Sequence, residues 1–376
     1  MKILFICKTQ LQVVNYLLIF KEFYGQIEEA VFCFTDSKRS GLIQLQHYLP
    51  KVSNKIRVIF LNIPSNLRLD AWIKNKNQER NYISCLESVL YTFGLFRKRI
   101  ENKVFSRCED ILITKKFDRI YLFNYSKLID WIITNCIKKA RDVSIVDEGL
   151  GSYLLSSYNV NFLEKVKEIL LYDPALVIGK VPEHIKINPL NSKLLLSSEF
   201  IDYLKILFPK NNSDERGEET VVWLGQNYGG SGKGVKRKKL LLAHKKIFNK
   251  FSEIEKKKKE NFSYRPHPAR LEVLEEIAKN NLYCKIAGES KIPYEIELIL
   301  GYKKIPKEIH TISSSGALYL YMLIPDRAMS VRSYFSFKSF FELSGYDLNK
   351  EVPGFNLLFE KLQTKYPENI FSETLK

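Results

Sequence analysis

Short apolar runs alternate along the chain with longer segments whose apolar positions recur every three or four residues. Ile3–Cys7 is followed by Leu11–Phe20, Ala30–Phe34 by a helical stretch near Gly41–Tyr48, and Ile56–Leu61 ends the series. A short continuous apolar run suits a strand buried on both faces, and a 3.6-residue period suits a helix with one buried stripe. The opening therefore predicts β-α-β-α-β. Helical patterns follow around Leu69–Leu95 and Lys98–Thr114, then a strand at Arg119–Phe123, a helix at Ser126–Lys139 and a strand at Val143–Val146. Strands separated by helices pair in parallel and are covered on both faces, so residues 1–155 read as a Rossmann-like domain.

The pattern then loosens. Pro174, Pro182, Pro189 and Pro209 interrupt it, and the polar stretch Asn211–Gly217 follows, so residues 156–219 read as an inter-domain passage. Alternation restarts with strands at Val221–Leu224, Phe262–Tyr264, Tyr283–Ile286, Ile309–Ile312 and Met329–Val331. Between them lie helices at about Lys236–Phe251, Ala269–Lys279, Tyr294–Gly301 and from Gly316. Residues 220–350 form a second Rossmann-like domain in this reading, and 351–376 a helical tail. The fold class is α/β, two Rossmann-like domains facing across a cleft, with ligands expected beyond the carboxyl ends of the strands.

Composition agrees with this picture and adds one anomaly. The 376 residues are 45% hydrophobic and 13% aromatic, enough for two cores, and no apolar segment is long enough for a membrane-spanning helix. The reading is a soluble protein. Met1–Cys7 is too short an apolar run, and Lys8-Thr9-Gln10 too polar a sequel, for a signal peptide. Six scattered cysteines argue against a disulfide framework or zinc site and for a reducing cytoplasm. The formal charge of +17 is the anomaly, concentrated in runs such as Lys233–Lys239 and Lys256–Lys259. It is either a set of solvated helix faces or an attraction to a polyanion: nucleic acid, an acidic inner-membrane surface or an anionic saccharide.

Three strand ends carry candidate chemistry. Asp147-Glu148-Gly149 follows the strand Val143–Val146; it is either a strand-ending turn or a carboxylate placed to take a proton from an attacking hydroxyl. Arg265-Pro266-His267-Pro268 follows Phe262–Tyr264, so that prolines restrict the backbone around one imidazole. It is a rigid loop or a phosphate ligand and proton donor. Ser313-Ser314-Ser315-Gly316 precedes an apolar helix, where serines cap free N–H groups or join them in holding a phosphate. Glu295 starts another helix and suits either the helix dipole or a ribose diol. His47, His184, His244 and His310 have no such setting and read as structural or surface residues.

Other signals fail. In Gly229-Gly230-Ser231-Gly232-Lys233-Gly234 the lysine is followed by glycine instead of Ser or Thr, and Asn227 stands where the first glycine should be. It is no Walker A motif and reads as a flexible loop, first a plain surface loop and second one that closes over the cleft. The chain contains no Asp-x-Asp, the usual metal clamp for a sugar nucleotide, and no serine-hydrolase or kinase signature.

In this order the motifs resemble those of the bacterial sialyltransferases, first the lipooligosaccharide sialyltransferase family and next the capsular polysialyltransferases. The resemblance lies in Val146–Ser152, Pro266–Arg270, Ser315–Leu318 and Thr9-Gln10-Leu11-Gln12. It implies a GT-B fold and an inverting, metal-independent transfer of sialic acid from CMP-sialic acid to a surface glycan, lipooligosaccharide or capsule, with no cofactor. By the same resemblance Asp147 is the general base, with Glu148 second, and His267 the general acid. Ser314 and Ser315 hold the CMP phosphate, Glu295 reads the ribose, and Gly149, Arg265, Pro268, Ser313, Gly225, Gln226 and Gln12 line the substrates. Members of the lipooligosaccharide family can carry an aspartate just after the glycine equivalent to Gly225; this chain has Gln226, which favours Asp147 as base. The expected partners are the donor, a glycan acceptor that the positive charge allows to be anionic, and the acidic inner membrane as a peripheral contact. A homo-oligomer is compatible, and nucleic acid is not expected. The alternatives are a GT-B enzyme with another nucleotide-sugar donor, a polysialyltransferase, and last a non-enzymatic polyanion binder.

Overall fold

A computed structural model describes residues 1–34, 40–60, 116–123, 142–155, 158, 160–210, 220–226, 234–259, 261–267, 272–287 and 292–372. The helices expected around 69–95, 98–114 and 126–139, the glycine-rich loop up to Lys233 and residue Pro268 lie outside these residues. The chain divides into two compact units, Met1–Ile145 with Glu164–Glu168, and Val146–Leu163 with Ile169–Lys376.

The first parallel sheet is built from β1 (Lys2–Cys7), β2 (Glu29–Phe34), β3 (Ile56–Phe60), β4 (Arg119–Leu122) and β5 (Asp142–Val146). Its strand order is β3-β2-β1-β4-β5, continuing to β6 (Glu168–Leu171) and β7 (Lys186–Pro189). β1 lies in the middle with an all-apolar run, as expected of a strand covered on both faces. Phe5 at its centre packs against Tyr16, Phe32 and Tyr121. Tyr16 belongs to α1 (Gln10–Glu22), whose residues are buried from Leu11 to Phe20.

The second sheet contains β8 (Val221–Leu224), β9 (Phe262–Arg265), β10 (Cys284–Ile286), β11 (Glu308–Thr311), β12 (Arg332–Phe335) and β13 (Ile370–Ser372). The order is β10-β9-β8-β11-β12-β13, parallel throughout. Among the described residues the longer helices of this unit are α3 (Ser198–Leu207), α4 (Gly234–Lys258), α5 (Glu272–Lys279), α6 (Tyr294–Ile299), α7 (Ser315–Leu323), α8 (Phe337–Ser344) and α9 (Phe355–Lys365); α2 (Ser40–Val52) belongs to the first unit. The core beneath α4 is aromatic: Trp223 packs on Phe248 and Phe251, and Phe251 on Phe262. The strand order reverses direction at β8 and β11, and a parallel sheet opens a ligand crevice beyond the carboxyl ends of such a pair.

Three features depart from the sequence pattern. The stretch 156–219 contains strands β6 and β7 and helix α3, so it is more than a passage. The strand expected at Met329–Val331 starts three residues later, at Arg332. Pro325 opens a helical turn that runs to Ala328, and the chain must reverse through Met329 and Ser330, with Val331 N–H donating to the Ala328 carbonyl at 2.9 Å, before it can extend. The tail adds β13 to the second sheet in addition to its helix.

Candidate active site

The end of β8 is held against the Arg265-Pro266-His267 turn. Gly225 N–H donates to the Arg265 carbonyl at 2.9 Å, and a Cβ on Gly225 would stand 2.9 Å from the His267 nitrogen and 3.0 Å from the Arg265 oxygen. Glycine is the residue that lets two backbone segments approach so closely. His267 and Gln226 are half-buried at this edge. On the other side of β8, Thr311 Oγ1 donates to the Leu224 carbonyl at 3.1 Å and accepts from Ser314 N–H at 3.1 Å. One threonine thus ties the end of β8 to the serine cluster.

Ser313 is buried, and Ser314 and Ser315 are half-buried at the start of α7. Ser314 occupies the N-cap, yet its hydroxyl makes no capping hydrogen bond. The first-turn N–H groups of this nine-residue helix, of which Ala317 N–H donates to the Ser314 carbonyl at 3.3 Å, and the two serines lie at the same end. A Cβ on Gly316 would stand 3.3 Å from Glu295 Oε2 and 3.4 Å from Ser314 Oγ, which brings the Glu295 carboxyl to the helix start. Burial holds Glu295 above the usual carboxylate range.

Helix α6 connects both parts. Glu295 reaches α7, while two residues on Glu297 takes a hydrogen-bonded ion pair from Arg265. The Arg265 guanidinium also donates to the Ile292 carbonyl at 2.7 Å and lies 4.9 Å from the centre of the Tyr294 ring. Arg265 and Glu297 are 11% and 1% exposed, so the pair is an internal strut that fixes the turn carrying His267. The sequence singled out Glu295 and Arg265 but gave no sign of Glu297, because nothing local distinguishes one glutamate in a helix from the next. His244 on α4 is fully buried, and neither ring nitrogen has a hydrogen-bond partner among the described residues. Burial, with His267 as the lesser cause, lowers its pKa to about 3.

The acidic loop packs in the same compact unit as these elements. Asp147 is wholly enclosed. Tyr319 and the Gly149 N–H donate to one carboxylate oxygen, Tyr153 and the Tyr172 N–H to the other. Four donors favour the ionised form, but burial outweighs them and lifts the pKa to about 6. Gly149 has φ +149°, a conformation that side chains rarely adopt, and a Cβ there would stand 3.5 Å from Ser315 Oγ and 4.0 Å from the Tyr319 hydroxyl. The loop thus rests on the first turn of α7. Glu148 is half-buried, and its N–H donates to Ser152 Oγ at 2.9 Å.

Gln12 belongs to the other unit. Its Oε1 accepts from Lys8 N–H at 2.6 Å and Thr9 N–H at 3.0 Å, completing the capping box that starts α1. Among the described residues no group of three or more His, Cys, Asp or Glu could hold a metal ion, and no helix is long and apolar enough to cross a membrane.

Comparison with known proteins supplies a family. Residues 3–332 match the model described as alpha-2,8-polysialyltransferase. No curated protein matches the chain in sequence. Among solved structures, the GT-B domain of a sialyltransferase from Photobacterium damselae aligns at 12% identity over 99% of this chain and 100% of its own, with a TM-score of 0.43. The 2,6-sialyltransferase of Photobacterium sp. JT-ISH-224, solved with CMP and lactose, aligns at 11% identity over 99% of this chain and 78% of its own, TM-score 0.43. Arabidopsis thaliana UGT89C1 with UDP-L-rhamnose aligns at 13% identity over 98% and 95%, TM-score 0.43.

Proposed function

The chain belongs to the alpha-2,8-polysialyltransferase family and is a sialyltransferase, and from that premise we propose that it transfers sialic acid from CMP-sialic acid, with inversion and without a metal, onto an anionic capsule or lipooligosaccharide glycan. The observation that carries the reading is the packing of the acidic loop on the serine cluster: Gly149 stands against Ser315 at the start of α7, a few residues from the carboxylates.

The phosphate of CMP lies at the N-terminus of α7, held by Ser314, Ser315 and the free N–H groups. His267 donates a proton to it. The acceptor hydroxyl attacks the anomeric carbon, the bond from that carbon to the phosphate oxygen breaks, and its electron pair leaves with CMP, protonated by His267. The acceptor's own proton passes to a carboxylate of the acidic loop. Charge builds on the phosphate as that bond breaks, and fixed hydroxyl and N–H dipoles stabilise it without reorganising. Glu295, beside Gly316, takes the ribose hydroxyls.

Asp147 is the base in this proposal, since a pKa of about 6 suits proton transfer near neutrality. One observation favours Glu148 instead: both Asp147 oxygens are already taken by donors, whereas Glu148 is half-buried. Wild type, Asp147→Asn, Glu148→Gln and His267→Ala are compared with CMP-sialic acid and an acceptor panel that includes oligosialic acid, read by mass spectrometry. A product ladder on oligosialic acid is expected from wild type and none from His267→Ala; of the two acidic variants, the one that loses transfer while still binding CMP marks the base. Normal turnover by His267→Ala, or thermal protection by UDP and not by CMP, overturns the proposal.

A further inference from the structure

The most basic helix of the second unit carries a surface that the transfer reaction does not use. Helix α4 runs for 25 residues and contains ten Lys or Arg against two Glu. Its inward positions, Leu240, Ala243, His244, Ile247, Phe248 and Phe251, are buried on the second sheet. Opposite them Lys238, Lys239, Lys245, Lys246, Lys256 and Lys257 are exposed. At about 100° per residue these six fall within an arc of roughly 120°. Glu253 is the one acid on that arc; Glu255 is buried and paired with Lys258 at 2.8 Å.

One exposed leucine breaks the polar character of this face, and a second stands exposed on a neighbouring turn. Leu242 is 54% exposed, and Lys238, Lys239, Lys245 and Lys246 are its neighbours three and four residues away on either side. Leu282 is 98% exposed at the tip of the turn before β10, between exposed Lys279 and Lys285. That turn adjoins the chain leaving α4, because Phe262 N–H donates to the Tyr283 carbonyl at 2.9 Å, three residues after Lys259. A solvated helix face has no use for a fully exposed leucine at a loop tip, and a dissolved polyanion would pair with the lysines while gaining nothing from the leucines. A bilayer interface takes both, since lysine ammonium groups reach the headgroups and leucine side chains enter the acyl boundary.

We propose that the lysine face of α4 and the Leu282 turn dock the protein on an anionic lipid bilayer. The occupant is fixed by charge complementarity together with the two leucines, and the proposal stands independently of the donor and acceptor. The test is co-sedimentation of the full chain with phosphatidylcholine vesicles, with and without phosphatidylglycerol, at low and high salt. Three proteins are compared: wild type, Leu242→Ser/Leu282→Ser, and Lys238→Glu/Lys245→Glu/Lys246→Glu. All five side chains are exposed, so the core is untouched in each variant. Wild type is expected to bind phosphatidylglycerol vesicles in a salt-sensitive way and pure phosphatidylcholine weakly. The leucine variant should lose about tenfold in vesicle partitioning while retaining its affinity for soluble oligosialic acid, and the charge variant should lose vesicle binding at both salt concentrations. Equal partitioning of wild type into both vesicle types overturns the proposal. So does wild-type vesicle binding by the leucine variant, which would make the face a charge-only site for soluble polyanions.

Discussion

The Tyr319 hydroxyl donates to the Asp147 carboxylate across 172 residues of chain. Tyr319 lies one turn along the helix whose first residue, Ser315, touches Gly149, so α7 supports the acidic loop at two points. Removing the hydroxyl in Tyr319→Phe leaves a buried carboxylate oxygen with one donor fewer. An unmade bond to a buried charged group costs about 1–3 kcal/mol. Urea denaturation should show that loss, and Tyr153→Phe, which removes the donor to the other oxygen, should show a similar one.

The same carboxyl sets a pH dependence. Its pKa is 3.8 when unperturbed and about 6 in the fold, so the folded state holds a proton that the unfolded chain releases. The stabilisation is complete below about 3.8 and is lost as pH rises through about 6, an amount of about 3 kcal/mol. Asp147→Asn has no such titration. Its unfolding free energy, measured from pH 4 to 8, should therefore gain on the wild type as pH rises, although at low pH it is the less stable protein, because an amide NH₂ faces a backbone N–H.

Strand-end positions were legible in the sequence because a buried parallel strand is a continuous apolar run and the residue after it marks a sheet edge. Asp147, His267 and Ser315 each stand within four residues of such a strand end. The partners of these residues were not legible, whether six residues away or 172. Tyr319 and Tyr153 look like two more aromatic residues in apolar surroundings, and Glu297 like an ordinary helix glutamate. β6 and β7 are four residues each in a proline-interrupted stretch, too short for a period to register. The capping role of Gln12 is readable, since Thr9 and Gln12 have the capping-box spacing.

The Arg265–Glu297 strut predicts an asymmetry between single and double variants. Glu297→Gln leaves a guanidinium nearly enclosed without its counter-charge, and breaking one side of a buried pair costs about 3–5 kcal/mol. Arg265→Met/Glu297→Leu removes both charges and should recover most of that stability. It should not recover transfer, because the bond from Arg265 to the Ile292 carbonyl and its contact with Tyr294, which orient the His267 turn, go with the arginine. Chemical denaturation of the set, with transfer rates on oligosialic acid, checks both halves.

Gly225 is the closest contact in the site, and its neighbours decide what a methyl group would do there. At Gly316 a Cβ would meet side-chain atoms of Glu295 and Ser314 at 3.3 and 3.4 Å, which can yield by small rotations. At Gly225 the atoms at 2.9 and 3.0 Å are the backbone nitrogen of His267 and the backbone oxygen of Arg265. Backbone held by β9 and by the Glu297 strut moves only as a segment, so Gly225→Ala must push the whole His267 turn outward or break the Gly225 N–H bond to Arg265. Overpacking of this kind costs about 1–3 kcal/mol in stability. A displacement approaching 1 Å at a proton donor costs on the order of a hundredfold in rate. Gly225→Ala should therefore remain folded at 25 °C while kcat for transfer falls far more than KM for the donor rises, and Gly316→Ala should lose less of kcat. Steady-state kinetics on the two alanine variants tests this, and equal kcat values for both would mean that the His267 turn is not fixed by its contact with Gly225.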